Sequence, residues 1–497
     1  MTEHDPNTAS ARPRYDVAVV GAGPAGLAAA VAAAEAGRRV VLVDAGEQPG
    51  GQYWRHPDEA APRDDESLGH HDWSTFTDLR ARLHQLSARQ QITHLPRRQV
   101  WFVERPTSEN DRPTHTLHLT TAYAEATHTG VEAPHSVTTD ALILCPGGYD
   151  RQLPIHGWDL PGVMAAGGVQ ALLKAHRTLA GRRAIVAGTG PFLLPVATGL
   201  AQAGADVVAV CEAGSITGWS RNPLAAAAVP SKAREAIEYT AGLIRHRIPY
   251  RQRTAITAIH GSEAVQSVEL SRLDRHGRVC EKVDTANVDL VALGWGFTPS
   301  LELITATGAA TRKDIDDSLV AVVDAEQRAT VPGVYVAGEA TGVGGALLAV
   351  AEGELAGLVA ARDQQMQVSQ KNVQTLQRRI TRYRRFATAM HTAHPVPRHW
   401  HEWLRAETTV CRCEEVTYQQ VSAVRDELGA GDARTVKLMA RPGMGWCQGR
   451  VCGFASAKLA AAQEGRELTG DDLRPTAKQS FTAPIPLEQL AETPQHK

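Results

Sequence analysis

Apolar and polar positions in this chain fall in blocks whose periods change from segment to segment. Val17-Ala18-Val19-Val20 is a short apolar run closed by glycines; an alanine-rich stretch to Ala36 follows, Gly37 stops it, and Val40-Val41-Leu42-Val43 forms a second run. Strand, turn, helix and buried strand in that order predict a parallel βαβ unit. The pattern returns at Ala184-Ile185-Val186-Ala187, a glycine turn, a helical run to Ala203 and Val207-Val208-Ala209-Val210. Two such units about 165 residues apart predict an α/β protein with two nucleotide-binding domains of one architecture. Between them, Arg55–Ser74 is polar and reads as a surface excursion, Thr77–Gln91 has helical spacing, residues 104–138 suit a β-meander, and Ala141–Leu144 returns as a buried strand. Val288–Leu293 and Val334–Val336 read as closing strands. Residues 365–400, rich in Gln and Arg, read as a helical connector; a small unit starts at Thr408, and the tail from Arg474 packs along a surface or hangs free.

Composition narrows the function classes. Lys+Arg 52 against Asp+Glu 54 leaves a net charge of −2 over 497 residues, without the broad basic footprint of a nucleic-acid binder. No apolar run reaches the roughly 20 residues of a membrane-spanning helix. Residues 1–14 lack the apolar stretch of a secretory signal. Seven cysteines are too few for a disulfide scaffold, and four lie in one C-terminal region. A soluble, cytoplasmic protein that uses thiols for chemistry is expected.

The run Gly21-Ala22-Gly23-Pro24-Ala25-Gly26 is G-x-G-x-x-G between a strand and a helix. Gly21 permits the tight turn, Gly23 lets backbone approach a pyrophosphate, and Gly26 lets helix and strand pack closely. The phosphates then meet free N–H groups and the positive end of the helix dipole. Asp44, 23 residues after Gly21, stands where a carboxylate accepts from the adenosine ribose. Downstream, Gly50-Gly51-Gln52 forms a bend able to pass close to a cofactor. Gly333 to Ala340, followed by Gly342, Gly344, Gly345 and Ala346, completes a pattern that resembles the two-dinucleotide-binding-domain flavoproteins, the glutathione-reductase-like oxidoreductases. Residues 15–55, 140–157 and 330–357 carry the resemblance, which implies FAD. In that family a Gly-Asp ends the late strand and its Asp holds the ribityl chain; here the pair is Gly338-Glu339. The family's Ala-Thr-Gly is replaced by Cys145-Pro146-Gly147, so only Gly147 carries over. Another adenine nucleotide in the same cradle is the alternative.

The second loop, Gly188-Thr189-Gly190-Pro191-Phe192-Leu193, keeps two glycines and loses the third. Leu193 is expected to hold helix and strand apart, which disturbs a standard pyrophosphate fit. Glu212, 24 residues after Gly188, is placed for a ribose hydroxyl and favours NAD over NADP. Productive NAD binding and a scaffold with an altered site are both open. Cys145, Cys211 and Cys280 are isolated and expected to be small buried hydrophobes. Without a cysteine pair near the flavin, disulfide reduction is not expected. His156 and Tyr149 lie near the expected flavin edge and read as packed side chains, so no catalytic acid–base residue is assigned.

Cys411, Cys413, Cys447 and Cys452 give C-x-C-x33-C-x4-C, four thiolates in two close pairs, a metal-site pattern for a cytosolic protein. Zinc competes here, because Zn²⁺ also takes four thiolates. Gly443, Gly445, Gly449 and Gly453 leave backbone amides free for cluster sulfurs. Residues 410–462 resemble the bacterioferritin-associated ferredoxin type of [2Fe–2S] module, though that module more often ends C-x-x-C.

The expected organisation is an FAD domain over 15–176 and 315–364, a second nucleotide domain over 177–314, a connector over 365–407, a small α-rich four-cysteine iron–sulfur domain over 408–473 and a tail over 474–497. The combination resembles the flavoprotein subunit shared by hydrogen cyanide synthase, opine oxidase and dye-linked proline or hydroxyproline dehydrogenases. Gly157-Trp158-Asp159-Leu160-Pro161-Gly162-Val163 and Gly443 to Arg450 carry that resemblance. It implies electron relay from an amino-acid-oxidase-like flavoprotein subunit in a hetero-oligomer, with a small ferredoxin-like subunit or an interface FMN as further components. A stand-alone NADH-dependent FAD/[2Fe–2S] reductase is the competing class, and a nucleotide-binding scaffold with structural zinc a third.

Overall fold

The computed structural model describes residues 12–61, 65–105, 114–122, 134–479 and 481–492. Four strands, Ile92–Leu95, Val40–Val43, Arg14–Val20 and Ser136–Leu144, lie parallel in that spatial order. Val334–Val336 continues the sheet in parallel against Leu142–Leu144. His115–Thr121 and Arg98–Glu104 extend it antiparallel from the earlier part of Ser136–Leu144. These two strands account for the described part of the expected meander; residues 106–113 and 123–133 lie outside the described residues.

One face of this sheet is covered by the helices Pro24–Glu35 and Ala346–Asp363. Their backbones touch: a Cβ on Gly353 would sit 1.9 Å from Ala25 O, and one on Gly357 2.4 Å from Ala29 O. Alanine on one helix and glycine four apart on the other therefore set this crossing.

The second βαβ unit builds a five-stranded parallel sheet in the order Tyr250–Gln252, Asp206–Glu212, Arg183–Gly188, Leu290–Gly294, Val163–Ala165. A three-stranded antiparallel sheet, Thr254–Gly261, Val265–Leu273 and Val279–Asn287, is attached to it. Gly148–Asp150 pairs with Phe297–Pro299 where the chain passes between the two sheets. The connector is one helix, Gln370–Ala393. Among the described residues, five short helices and a two-stranded ribbon, Thr409–Cys411 with Val416–Thr417, make up the C-terminal region.

Some local expectations are corrected. The helix expected over Thr77–Gln91 spans Trp73–Ala88. The polar segment before it is not wholly a surface excursion: Trp54 and His56 are buried and pack with Phe76. Its short aromatic signal was diluted by polar neighbours. Cys280 is exposed, whereas Cys145 and Cys211 are buried as expected. The tail packs: Thr482 N–H donates to Trp101 O at 2.9 Å, and Gln489 Nε2 to Leu119 O at 2.7 Å. Residues 493–497 lie outside the described residues. Among the described residues no helix is long and apolar enough to cross a membrane.

Candidate functional site

Three chain segments meet at the C-terminal ends of the first sheet's central strands. Pro24 opens the first helix and Ala25 is buried behind it. Gly26 has no alternative, since a Cβ there would lie 1.7 Å from Gly21 O. Gly23 faces far more room, its nearest neighbour being Gly51 Cα at 3.9 Å from a built Cβ. Gly50 N–H donates to Ala22 O at 2.8 Å, so the Gly50-Gly51 bend lies on the loop; Gln52 is exposed beside it. Asp44 Oδ1 accepts the Ala22 N–H at 3.1 Å. Burial raises the Asp44 carboxyl above its usual range, opposed by N–H groups of Ala22, Gly46 and Ala45.

Gly147 and Gly345 border open space: a Cβ on either would meet nothing within 4 Å. Ala346 begins the helix Ala346–Asp363, which presents a second helix N-terminus. Gly338 packs on Ala25, and its N–H donates to Glu352 at 3.0 Å. Burial pushes the Glu339 carboxyl up to about 7, with the Gly345 N–H opposing. A side-chain-free cradle with two helix N-termini and a carboxylate on the neighbouring strand fits the pyrophosphate and ribose of a dinucleotide.

Residues that the sequence did not flag hold this cradle. Glu352 is 1% exposed and also accepts the Thr341 hydroxyl at 2.9 Å. Arg384, on the connector helix, donates Nε to Glu352 at 2.9 Å, reaches Gly342 O at 2.6 Å and bonds the Thr341 hydroxyl. His391 donates to Val343 O at 2.8 Å. The run of arginines in residues 378–385 signalled only a polar helix.

The second loop is built differently. Its helix, Leu193–Gln202, begins five residues after the first glycine, against three in the first loop. Leu193 is buried, and the room for it comes from the adjacent strand, where a Cβ on Gly294 would lie 2.9 Å from Leu193 Cδ2. Helix and strand thus stay together, contrary to the expectation that Leu193 holds them apart. Glu212, expected to face a ribose, is fully buried. It accepts N–H groups of Gly190 at 2.9 Å and Gly214 at 2.8 Å and the Thr189 hydroxyl at 3.0 Å.

Over Glu212 lies the end of the connector. His394 Nδ1 is 3.4 Å from Glu212 Oε2, and a Cβ on Gly190 would be 4.0 Å from His394 Cβ. Trp219 Nε1 donates to His394 Nε2 at 3.0 Å. Indole N–H only donates, so Nε2 is the acceptor, and the buried Nδ1 faces Glu212 without making a hydrogen bond. Pro395 O lies 3.4 Å from the Thr189 hydroxyl. Gly188 and Gly190 keep their loop, but the chain itself covers it.

In the C-terminal region Cys411 and Cys452 are buried, Cys447 is half-buried and Cys413 exposed. Cys452 contacts both Cys411 and Cys447, and Cys447 contacts Cys413, so the thiols form a chain. Hydrogen bonding from Cys452 and then backbone N–H groups, that of Gly443 among them, pull Cys411 down to about 6. Cys447 is pulled down to about 5, again first by Cys452. Cys452, hydrogen-bonded to both, is pushed up and Cys413 is raised as well, so the four thiols share protons as one cluster; four sulfurs gathered in this way suit metal ligation.

The Gly157–Val163 segment anchors this unit: Trp158 Nε1 donates to Thr409 O at 2.6 Å, and the Thr409 hydroxyl to Asp159 at 2.7 Å. Arg412 lies over the Trp158 ring at 4.7 Å. Tyr149 borders a small cavity with Gly449 and Arg450, and Arg450 pairs with buried Glu302 at 2.7 Å. His156 lies 3.5 Å from Glu407. The Tyr149 and His156 side chains are both half-buried.

The family model described as pyridine nucleotide-disulphide oxidoreductase matches residues 15–368. An opine oxidase subunit from Agrobacterium tumefaciens is 30% identical over 97% of this chain and 92% of its own. Hydrogen cyanide synthase subunit HcnB of Pseudomonas protegens is 28% identical over 89% of this chain and 92% of its own. Among solved structures, L-proline dehydrogenase from P. horikoshii shares the fold at a TM-score of 0.67 and 19% identity, over 97% of this chain and 80% of that one.

Proposed function

The chain belongs to the pyridine nucleotide-disulphide oxidoreductases, a family of FAD-dependent oxidoreductases, and from that premise we propose a specific role. It is the flavin- and iron–sulfur-containing subunit of a heteromeric amine or amino-acid dehydrogenase or oxidase, of opine, proline or hydroxyproline type. Electrons reach it from a partner dehydrogenase subunit resembling amino-acid oxidases. An interface FMN and a small ferredoxin-like subunit belong to the same reading, as does a cytoplasmic location. Relatives named as subunits of opine oxidase and hydrogen cyanide synthase support the hetero-oligomer.

The observation that carries this reading is the difference between the loops. The first borders open space at Gly147 and Gly345, whereas His394 and Pro395 cover the second. NADH has no open place there, so reducing equivalents enter from another protein.

The chain's residues divide the work. Gly21, Gly23 and Gly26 with the first helix N-terminus hold the pyrophosphate, Asp44 the ribose, and Glu339 the ribityl chain. Gly51, Gln52, Gly147, Gly345 and Ala346 line the rest of the cradle. Cys411, Cys413, Cys447 and Cys452 hold the cluster, and Trp158 and Asp159 keep its first strand against the body of the protein. When bound, FAD supplies a two-electron acceptor and a [2Fe–2S] centre a one-electron one. On this reading residues 15–176 with 315–364 form the FAD domain, 177–314 a second domain kept as scaffold, 365–407 the connector and 408–473 the cluster domain.

Anaerobic mixing tests the reading. NADH should leave the flavin oxidised over seconds, and the partner with its amine should bleach it. Rapid stoichiometric reduction by NADH alone would establish the stand-alone reductase instead. Metal analysis should return about two irons per chain with acid-labile sulfide; one zinc and no iron would remove the electron-transfer role of the cysteine unit.

A further inference from the structure

The end of the connector carries a second constellation of ligand-type side chains. A three-residue-per-turn coil, Trp400–Trp403, follows His399. Its tryptophans face inward: Trp400 is 1% exposed, Trp403 6%, and Trp403 Nε1 donates to Gly277 O at 3.0 Å. Pro397 packs on the same Gly277, where a Cβ would lie 2.6 Å from Pro397 Cβ. The turn is thereby pinned to the bend between the strands Val265–Leu273 and Val279–Asn287.

Residues three apart in such a coil stand above one another, which places His399 over Glu402. His399 Nδ1 lies 3.0 Å from Glu402 Oε1. That nitrogen is buried and makes no hydrogen bond, despite the short distance to the carboxylate. The His401 ring lies 5.8 Å from the His399 ring, and one ligand atom each of His399, His401 and Glu402 fall within 4.8 Å of one another. Donors about 2.0–2.1 Å from one tetrahedral ion stand roughly 3.4 Å apart, so small side-chain rotations bring these three around a single cation. Arg278 Nε, 3.3 Å from Glu402 Oε1, orients the carboxylate from outside. His399 and Glu402 side chains remain 26% and 42% exposed, which leaves an entry path and a position for water.

We propose that His399, His401 and Glu402 bind a divalent transition-metal ion, zinc by the nature of the donors, separate from the four cysteines. Two imidazoles and a carboxylate suit zinc, nickel or copper and disfavour magnesium and calcium, which take oxygen ligands. The ion would close the turn 399–402 on itself, and Arg278 beside the antiparallel sheet would reach it only through Glu402.

The test titrates Zn²⁺ into the full-length chain after its cysteine site has been filled anaerobically with iron and sulfide. One further zinc per chain is expected. His399→Ala and His401→Ala should each weaken it by more than the roughly 10–100-fold that losing an outer-shell partner costs. No additional zinc, or unchanged uptake in the double variant, overturns the proposal. Should the variants fail to fold, Co²⁺ added to the unaltered, cysteine-filled chain decides. A visible spectrum of nitrogen and oxygen ligation without thiolate charge transfer supports the site; a thiolate band as the sole signal, or no bound cobalt, refutes it.

Discussion

Two glycine loops at the tops of two parallel sheets share one plan and have separate fates. In the first, Gly26 lies against Gly21 O and the space beside Gly147 and Gly345 stays open. In the second, Leu193 takes the third position, Gly294 makes room for it, and residues 393–395 close over the mouth. Each loop has a carboxylate on its second strand bound to loop N–H groups, Asp44 to Ala22 and Glu212 to Gly190. Carboxylate placement alone therefore does not tell the two loops apart. What surrounds the carboxylate decides: Asp44 is only partly covered, whereas Glu212 is covered by His394 and Thr189.

The comparison breaks most sharply at the third position. Gly26→Val should abolish flavin retention, because its Cβ would lie within bonding distance of a backbone oxygen; the flavin absorbance of purified protein reads this. The mirror change Leu193→Gly should cost about 2–5 kcal/mol as a cavity, measured by denaturant unfolding, with the flavin-to-protein ratio unchanged. Equal flavin loss in both would erase the distinction between the loops.

Arg384→Met tests how the first loop's far wall is held. It leaves the Glu352 carboxylate buried beneath Gly338 without its cation, at a cost of about 3–5 kcal/mol. Denaturant unfolding checks the cost, and flavin release should quicken in parallel.

Next comes pH. The folded Glu339 carboxyl is raised to about 7 by burial, from an ordinary 4.5. The folded state therefore binds this proton more tightly than the unfolded state. Its contribution to stability is fully present below pH 4.5 and is lost as pH rises through about 7. Unfolding of the flavin-free chain, followed across the range from about pH 5 to about pH 8, should show that decline, and Glu339→Gln should flatten it.

The smallest expected effect is at the closed loop. His394→Ala removes the acceptor of Trp219 and should cost about 1–2 kcal/mol. It should also uncover Glu212 enough for NADH to quench Trp219 fluorescence, which the unaltered chain should resist.

Much of this architecture was legible in short windows. The apolar runs at 17–20, 40–43, 184–187 and 207–210 became parallel strands because buried strands need consecutive apolar residues. The glycines at 21, 23 and 26 were readable because a tight turn beside a helix start tolerates little else. The cysteine spacing was visible for a similar reason, since close pairs of thiols have few uses in a protein of this composition.

Closure of the second loop was not legible. Thr189 meets Pro395 across 206 residues, Trp219 meets His394 across 175, and Trp158 holds Thr409 across 251. None of these pairs leaves a periodic mark, because each member only has to be polar or aromatic at a position chosen by packing elsewhere. Cys280 shows the same limit in reverse: an isolated cysteine among polar neighbours lies on the exposed strand Val279–Asn287, which no local pattern separated from a buried one. Local sequence dictates the elements, their parallel pairing and the residue types able to meet phosphate or metal, since these follow from backbone geometry and chemistry within a few residues. Which loop stays open depends on packing between distant segments, where one helix braces the wall facing the first loop through Arg384 and the residue just past its end, His394, covers the second.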